Sequence, residues 1–313
     1  MSPAPAHILA NRDVTALGAF RTPARTAWLY IFDDVTKARE LATAYRWARE
    51  KGLPVAVLGG GTNSVLCFDC FPGLIIHNKT RGWGWSSNST FFPQINDASS
   101  PHADKMLWVV SGELVSPVCA QLKSKYANPV FEAWIGLPGT WGGAVFGNAG
   151  CFGLEMAHAL VSAYVLDLET GKTRVVQAAE MGFAYRKSRL RDEPTSFVLS
   201  ALFTVDTAKV LGWKPVESSL LERKARQPVN KPTCGSFFKN PAGDFAGRLI
   251  EAAGYKGYKI GGAQVAEKHA NFFQNAGGAT WQDILALRDA VKVGVKEKFG
   301  VELEEEARFF RAE

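Results

Sequence analysis

Three short stretches of the chain carry side chains able to do chemistry. In PTCGSFFKNP (232–241), Ser236, Lys239 and Asn240 lie between two prolines. On an extended segment Ser236, Phe238 and Asn240 would share one face and Lys239 the other. A serine there can act as a nucleophile if a base activates it, or as a proton donor with a lysine or ordered water nearby. No GxSxG elbow accompanies it, and none of the five histidines, at 7, 77, 102, 158 and 269, is visibly placed for a triad. A simple turn serine is the plain alternative. In FAYRKSRLRDE (183–193), Tyr185 and Arg186 follow what reads as an apolar strand. That is a natural carboxylate clamp, with a solvated charge run as its alternative. In LEEEARFF (303–310), Glu304 and Glu306 fall on one face of a strand, so at least one could line a cleft; taken alone, each reads as a surface carboxylate.

Two further stretches offer backbone rather than side chains. VAVLGGGTNSVL (55–66) is an apolar run opening into three glycines, and IGLPGTWGGAVFGNAG (135–150) is a long uncharged glycine-rich loop. Such composition makes a poor helix or strand. It does supply bare N–H groups that approach a ligand closely, and runs of them form concave anion sites. The first loop is not a Rossmann fingerprint, because no third glycine follows at the required offset and a strand stands where the helix should begin. Nor is it a Walker A loop, since no Gly-Lys-Ser/Thr follows. Two glycine loops in one chain predict a large anionic cofactor held by backbone donors.

These stretches must be positioned by a sizeable scaffold, and 313 residues suffice for two or three compact parts. The composition, 47% apolar and 21% charged, is that of an ordinary globular protein. No run approaches the roughly 20 apolar residues of a membrane span. The opening MSPAPAHILANRD lacks a basic segment feeding an apolar one, so a secretory signal is not expected. Five cysteines at irregular spacing, including Cys67-Phe-Asp-Cys70 without a second ligand pair, read as thiols of a reducing compartment, and no metal is expected. The charge of +6 is spread over several clusters. No nucleic-acid signature accompanies it, and a positively lined cleft for a phosphorylated or carboxylated small molecule fits better.

The elements follow from periodicity. Residues 34–51 read as a helix with Asp33 and Asp34 near its start. VAVL, GLIIHN (73–78) and MLWVVSG (106–112) read as strands, and 116–126 as a helix. The Trp-, Ser- and Asn-rich segment 79–105 reads as an irregular excursion or hairpin, with no chemistry assignable to Trp83 or Trp85. Residues 158–176 read as a hairpin turning at Thr-Gly, and 196–206 as a strand. The segment 208–230 reads as a helix and an extended crossing. Beyond it, 245–254 reads as a short helix ended by glycine, 259–278 as strand and turns, and 280–300 as a long helix opened by Thr280 and Asp283. VELEEEARFF closes the chain as an alternating strand.

Taken in order, LGGGTNSVL, IGLPGTWGGAVFGNAGCFGLE, YRKS, GSFFKNP, AGRLIEAAGYKGYKIGGAQVAEKHANF and VKEKFGVELEEEARFF resemble the UDP-N-acetylenolpyruvoylglucosamine reductase family, from about residue 16 to the end. The glycine loops alone resemble the wider group of FAD-linked oxidoreductases of the vanillyl-alcohol-oxidase type; the later motifs, in this order and spacing, point to the reductase. The resemblance implies an α+β fold: a two-part FAD-binding module, 1–78 and 79–206, followed by a small α+β substrate domain, 207–313. It implies FAD as cofactor and NADPH as co-substrate, with FAD bound by Gly59, Gly60, Gly61, Thr62, Asn63 and Ser64, then by Pro138, Gly139, Thr140, Gly142, Gly143, Asn148 and Gly153. Thr62 stands where the family more often has serine, which keeps the hydroxyl. The implied catalytic trio is Arg186, Ser236 and Glu306, with Tyr185, Lys239 and Asn240 at the substrate. Between Ser200 and Gly235 no counterpart of one subclass's tyrosine-bearing substrate loop is found, so the chain is closer to the shorter subclass.

In that family NADPH reduces the flavin and leaves, and an enolpyruvyl ether of a UDP-sugar takes its place and is reduced, a step of peptidoglycan precursor synthesis. The resemblance therefore implies a cytoplasmic enzyme, a monomer, without nucleic-acid partners or membrane insertion. A flavin-dependent sugar or alcohol oxidase would share the glycine loops, but would not need the GSFFKNP serine and the terminal glutamate together. A non-catalytic flavoprotein is the third reading.

Overall fold

The computed structural model describes residues 4–5, 7–86, 106–206, 210, 223, 225–228 and 231–312. The stretch 87–105 and most of the 208–230 segment lie outside the described residues. The architecture is α+β, and the chain divides into two units. One comprises Met1–Ile8, Tyr30–Gly60 and Ile75–Leu220; the other comprises Leu9–Leu29, Gly61–Leu74 and Leu221–Glu313. A four-stranded sheet is ordered Ile8–Asp13, Arg25–Phe32, Cys70–Asn78, Val55–Leu58.

The first unit is built on a five-stranded sheet in the order Thr173–Gln177, Leu160–Asp167, Ser196–Thr204, Met106–Val110, Trp83–Trp85, with every pairing antiparallel. The Thr-Gly hairpin forms as read, with Tyr164 opposite Val175. Under one face lies an aromatic core, in which Phe131 stacks on Trp134 at 4.7 Å and Trp141 meets Phe203 at 4.6 Å. Helix α1 (Ala38–Glu50) buries Leu41, Ala44, Tyr45 and Trp47 on one stripe. Asp34 serves the short turn before it by accepting the Thr36 N–H at 2.9 Å. Helix α2 (Val115–Tyr126) contributes Val118, Cys119 and Leu122 to the core.

Helix α3 (Trp141–Gly147) departs from the sequence expectation, since it runs through the glycine-rich loop. Thr140 caps it, and fully buried Trp141 and Val145 anchor it in the aromatic core. Tertiary packing of one large side chain outweighs about 1 kcal/mol of helix propensity lost per glycine.

The second unit has an antiparallel sheet ordered Thr233–Ser236, Phe272–Asn275, Ala263–Val265, Lys259–Ile260. Helices α4 (Ala246–Ala252) and α5 (Trp281–Phe299) supply Leu249, Ile250, Ile284, Leu287, Val291 and Val295 to its core, around Phe237 stacked on Phe273 at 4.2 Å. Phe20 and Val65 belong to the same core. Thr280 and Asp283 close the capping box on α5, and Gly300, at φ 69°, ends it. The terminal strand is shorter than its alternation suggests: only Arg308–Arg311 is strand, running parallel to Ser64–Cys67. Cys67 is buried and Cys70 exposed, and no group of three or more His, Cys, Asp or Glu side chains among the described residues could hold a metal ion. No helix among the described residues is long and apolar enough to cross a membrane.

Candidate active site

The residues singled out in the sequence are divided between the units, with Gly59, Gly60, the second glycine loop and the Tyr185–Arg186 turn in the first, and Gly61 to Ser64, Ser236, Lys239, Asn240 and Glu306 in the second. In the first unit the glycine loops meet. A Cβ on Gly59 would lie 2.4 Å from the Thr140 hydroxyl, which accepts the Gly143 N–H at the start of α3. A Cβ on Gly142 would lie 2.6 Å from Ser111 Cβ, and the Gly142 N–H donates to the Ser111 carbonyl at 2.8 Å. Ser111 is held in turn by the buried Asn78 amide, which donates to its hydroxyl at 2.7 Å. Glycine is thus required at positions 59 and 142 by close approach. Gly139 and Gly153 have φ of 103° and 80°, and the loop N–H groups of Trp141 and Gly142 already serve protein carbonyls. Exposed Pro138 stands at the outer edge of the second loop.

The first loop continues as Gly60, Gly61, Thr62 and Asn63. Among the described residues these four successive N–H groups have no protein acceptor. Ser64 closes the turn by donating its N–H to the Gly61 carbonyl at 3.0 Å. Gly61, at φ 66°, would place a Cβ 1.9 Å from the Leu17 carbonyl. A run of unclaimed backbone donors on glycine-rich chain is the donor set a dinucleotide pyrophosphate takes, so the residues present fit FAD.

Arg186 lies in the first unit, in a tight turn rather than directly after a strand. Ala184 and Lys187 exchange both backbone hydrogen bonds at 3.0 Å, leaving Tyr185 and Arg186 at the tip. Arg186 has φ 57°, a conformation that costs a non-glycine residue of order 1 kcal/mol and persists only where its surroundings enforce it. Those surroundings are specific. Its Nη2 donates to the Gly150 carbonyl at 3.0 Å, its Nη1 lies 3.5 Å from Glu155, and the guanidinium sits 4.9 Å over the Tyr185 ring. Buried Asn148 donates Nδ2 to Glu155 at 2.8 Å and to the Ala184 carbonyl at 3.0 Å, while its Oδ1 accepts the Ala157 N–H at 3.0 Å. Ser188 donates its hydroxyl to the Phe146 carbonyl in α3 at 2.8 Å. The second glycine loop and the Arg186 turn are therefore one hydrogen-bonded assembly. Sequence reasoning missed Glu155 and Ser188 as its organisers; Glu155 ends the second glycine motif and Ser188 ends YRKS, and their polar character there was the signal.

Ser236 and Glu306 lie in the second unit, and the chain brings their segments side by side. Lys239 donates its N–H to the Glu304 carbonyl at 2.8 Å, and Phe238 bridges Glu305 in antiparallel fashion. Both Glu306 and Ala307 donate their N–H groups to the Phe237 carbonyl, at 2.9 and 3.2 Å. Two donors on one carbonyl mark a β-bulge, a device that redirects a side chain. The simple alternation read for 301–310 fails at this point. It fails in GSFFKNP as well, where Phe237 and Phe238 are both fully buried. Asn271 explains this, accepting the Phe238 N–H at 3.0 Å and donating Nδ2 to the Phe238 carbonyl at 2.8 Å, as a neighbouring strand would.

The three glutamates separate. Glu304 pairs with Lys239, Glu305 lies 3.0 Å from Lys292 of α5, and Glu306 stands at the bulge. Burial pushes the nearby Cys234 thiol up, and the Glu306 charge adds to it. Exposed Asn240 accepts the Ala246 N–H at 3.1 Å at the start of α4.

Comparison with known proteins extends over nearly the whole chain. The family model for the UDP-N-acetylenolpyruvoylglucosamine reductase C-terminal domain matches residues 227–310, and that for an FAD binding domain matches residues 32–177. A UDP-N-acetylenolpyruvoylglucosamine reductase of Synechococcus sp. is 36% identical over 306 residues, covering 96% of this chain and 90% of the relative. One of Rubrobacter xylanophilus is 36% identical over 277 residues, covering 88% and 86%. The crystal structure of UDP-N-acetylenolpyruvylglucosamine reductase (MurB) from Thermus caldophilus superposes with a TM-score of 0.71 at 27% identity, covering 96% of this chain and 98% of that one.

Proposed function

The chain belongs to the UDP-N-acetylenolpyruvoylglucosamine reductase family, and from that premise we propose how its residues divide the work of the reaction. The protein is an FAD-dependent oxidoreductase that reduces UDP-N-acetylenolpyruvoylglucosamine with NADPH, in peptidoglycan precursor synthesis. Bound FAD supplies the relay that carries hydride from NADPH to the enolpyruvyl double bond. Gly59 to Ser64 would hold it on one loop; Pro138, Gly139, Thr140, Gly142, Gly143, Asn148 and Gly153 would hold it on the other.

Reduction of the enolpyruvyl group at C3 develops negative charge at C2 and into its carboxylate. In this reading Arg186 binds that carboxylate and Glu306, as a neutral acid, polarises it by donating a hydrogen bond, a task suited to preorganised donors. Ser236 delivers the proton to C2. Serine is a weak acid, and only a strongly basic carbanionic centre makes it adequate. Tyr185, Lys239 and Asn240 would contact the rest of the substrate. The bulge that sets Glu306 against the residue after Ser236 is the observation that supports this assignment.

The test is anaerobic. One equivalent of NADPH reduces the flavin, the enolpyruvyl substrate is added, and the flavin absorbance is followed. Rapid return of the oxidised spectrum is expected. Flavin that stays reduced with this substrate but reoxidises in oxygen would favour an oxidase instead. Ser236→Ala should keep FAD and its reduction by NADPH, with reoxidation by substrate slowed about 10²-fold or more. Equal slowing of both half-reactions would remove Ser236 as proton donor. The reading also has the protein acting as a cytoplasmic monomer, with a two-part flavin module over 1–78 and 79–206 and a substrate domain over 207–313; sedimentation of the holoenzyme addresses its oligomeric state.

A further inference from the structure

Asn63 belongs to the first glycine loop, where the resemblance groups it with the cofactor. Its side chain is engaged elsewhere. Asn63 Nδ2 donates to the Glu306 carbonyl at 3.0 Å. The Asn63 carbonyl accepts the Arg308 N–H at 2.9 Å. One residue thus brackets the Glu306–Arg308 segment from both ends, just before Ser64–Cys67 runs parallel to Arg308–Arg311.

The position of this clamp matters because Glu306 is the bulged residue. A bulge breaks the ladder locally and leaves the direction of its side chain to whatever else ties the backbone. The Glu306 N–H is tied to Phe237, and Asn63 ties its carbonyl. The turn that presents Asn63 has little room to relax, since Gly61 is pressed against the Leu17 carbonyl. An amide suits this task, donating to a carbonyl without adding charge beside a carboxyl group. Aspartate has the same shape but sets oxygen against oxygen, and alanine leaves the carbonyl without this donor.

We propose that the Asn63 side chain is a positioning residue for Glu306, fixing the direction of its carboxyl group during substrate reduction, a role separate from holding the flavin. The proposal rests on Glu306 being an active-site group, and the experiment separates the two.

Holoenzyme is compared in anaerobic stopped flow as wild type, Asn63→Ala, Asn63→Asp, Glu306→Gln and the double variant Asn63→Ala/Glu306→Gln. Asn63→Ala should slow reoxidation by the enolpyruvyl substrate at least tenfold, change reduction by NADPH less than threefold, and retain FAD. In the Glu306→Gln background the same substitution should change reoxidation less than threefold, because no carboxyl group remains to be aimed. That non-additivity is a signature a merely structural role would not give. Loss of FAD, equal slowing of both half-reactions, or full additivity would overturn the proposal. Should Asn63→Ala fail to fold, the isosteric Asn63→Asp carries the same cycle with the same expectations. Wild-type reoxidation in Glu306→Gln alone would remove Glu306 from the active site and the proposal with it; a slow Glu306→Gln combined with additive Asn63→Ala would remove the proposal only.

Discussion

Asn148 directs both hydrogens of its amide inward, to Glu155 and to Ala184, and accepts the Ala157 N–H. Removing a buried group with three partners strips the Ala157 N–H of its acceptor and takes one donor each from Glu155 and the Ala184 carbonyl. Asn148→Ala should therefore lower stability by about 2–4 kcal/mol, measured by urea unfolding of the apoprotein, and a loss under about 0.5 kcal/mol would mean water replaces the amide. His77 tests a different physical effect. Burial, then Lys79 and Arg81, push it down to about 4, so the folded protein keeps it neutral while the unfolded chain protonates near 6.5. Stability from the neutral ring is complete above that value and is lost as pH falls toward 4. His269, lowered mainly by burial, acts in the same direction. The urea midpoint should fall between pH 7 and pH 5, and His77→Gln should flatten part of that slope; an unchanged slope would exclude His77 as its source. At this scale the candidate residues were legible, because a serine in GSFFKNP and an arginine after tyrosine are local patterns. Their organisers were not, since Glu155 and Asn271 act through pairings that no short window of sequence contains.

Elements carry the next level of control. The first glycine loop was legible as a backbone-donating segment, yet α3 inside the second was not, because Trp141 draws its helix from a core assembled by distant residues. Their mutual contact was equally hidden, and it gives a sharp expectation. Gly59→Ala would force the Thr140 hydroxyl off the α3 cap, so the variant should purify with FAD content reduced by half or more; full occupancy would mean that Thr140 rotates away without consequence. Helix α5 was readable from periodicity and from its capping pair. Asp283 accepts the Thr280 N–H at 3.0 Å and the Gly262 N–H at 3.2 Å, and these hydrogen bonds, that of Thr280 foremost, lower its carboxyl pKa from 3.8. Its contribution is whole above 3.8 and fades as pH falls through its folded pKa. Asp283→Ala should cost about 1–2 kcal/mol at neutral pH, and the difference from wild type should shrink in acid. A difference that grows in acid would reverse the assignment.

For the whole molecule, composition shows a basic excess but not the interleaving of distant segments. Phe20 and Val65 share a core with Phe237 and Phe273, and Asn275 donates Nδ2 to the Phe20 carbonyl at 2.9 Å. A fragment of residues 207–313 would lack those partners and should unfold without cooperativity in urea, as followed by circular dichroism. A sharp transition would show that this core is self-sufficient. The parallel pairing of Ser64–Cys67 with Arg308–Arg311 carries the same lesson further. On a ribosome the first of these strands emerges long before the second has been translated. At about 5–20 residues per second, it waits on the order of tens of seconds for its neighbour. A stop codon only a few codons early would thus do more than fray a tail: it would leave an unpaired edge near the opposite end of the message, open to quality control and to aggregation.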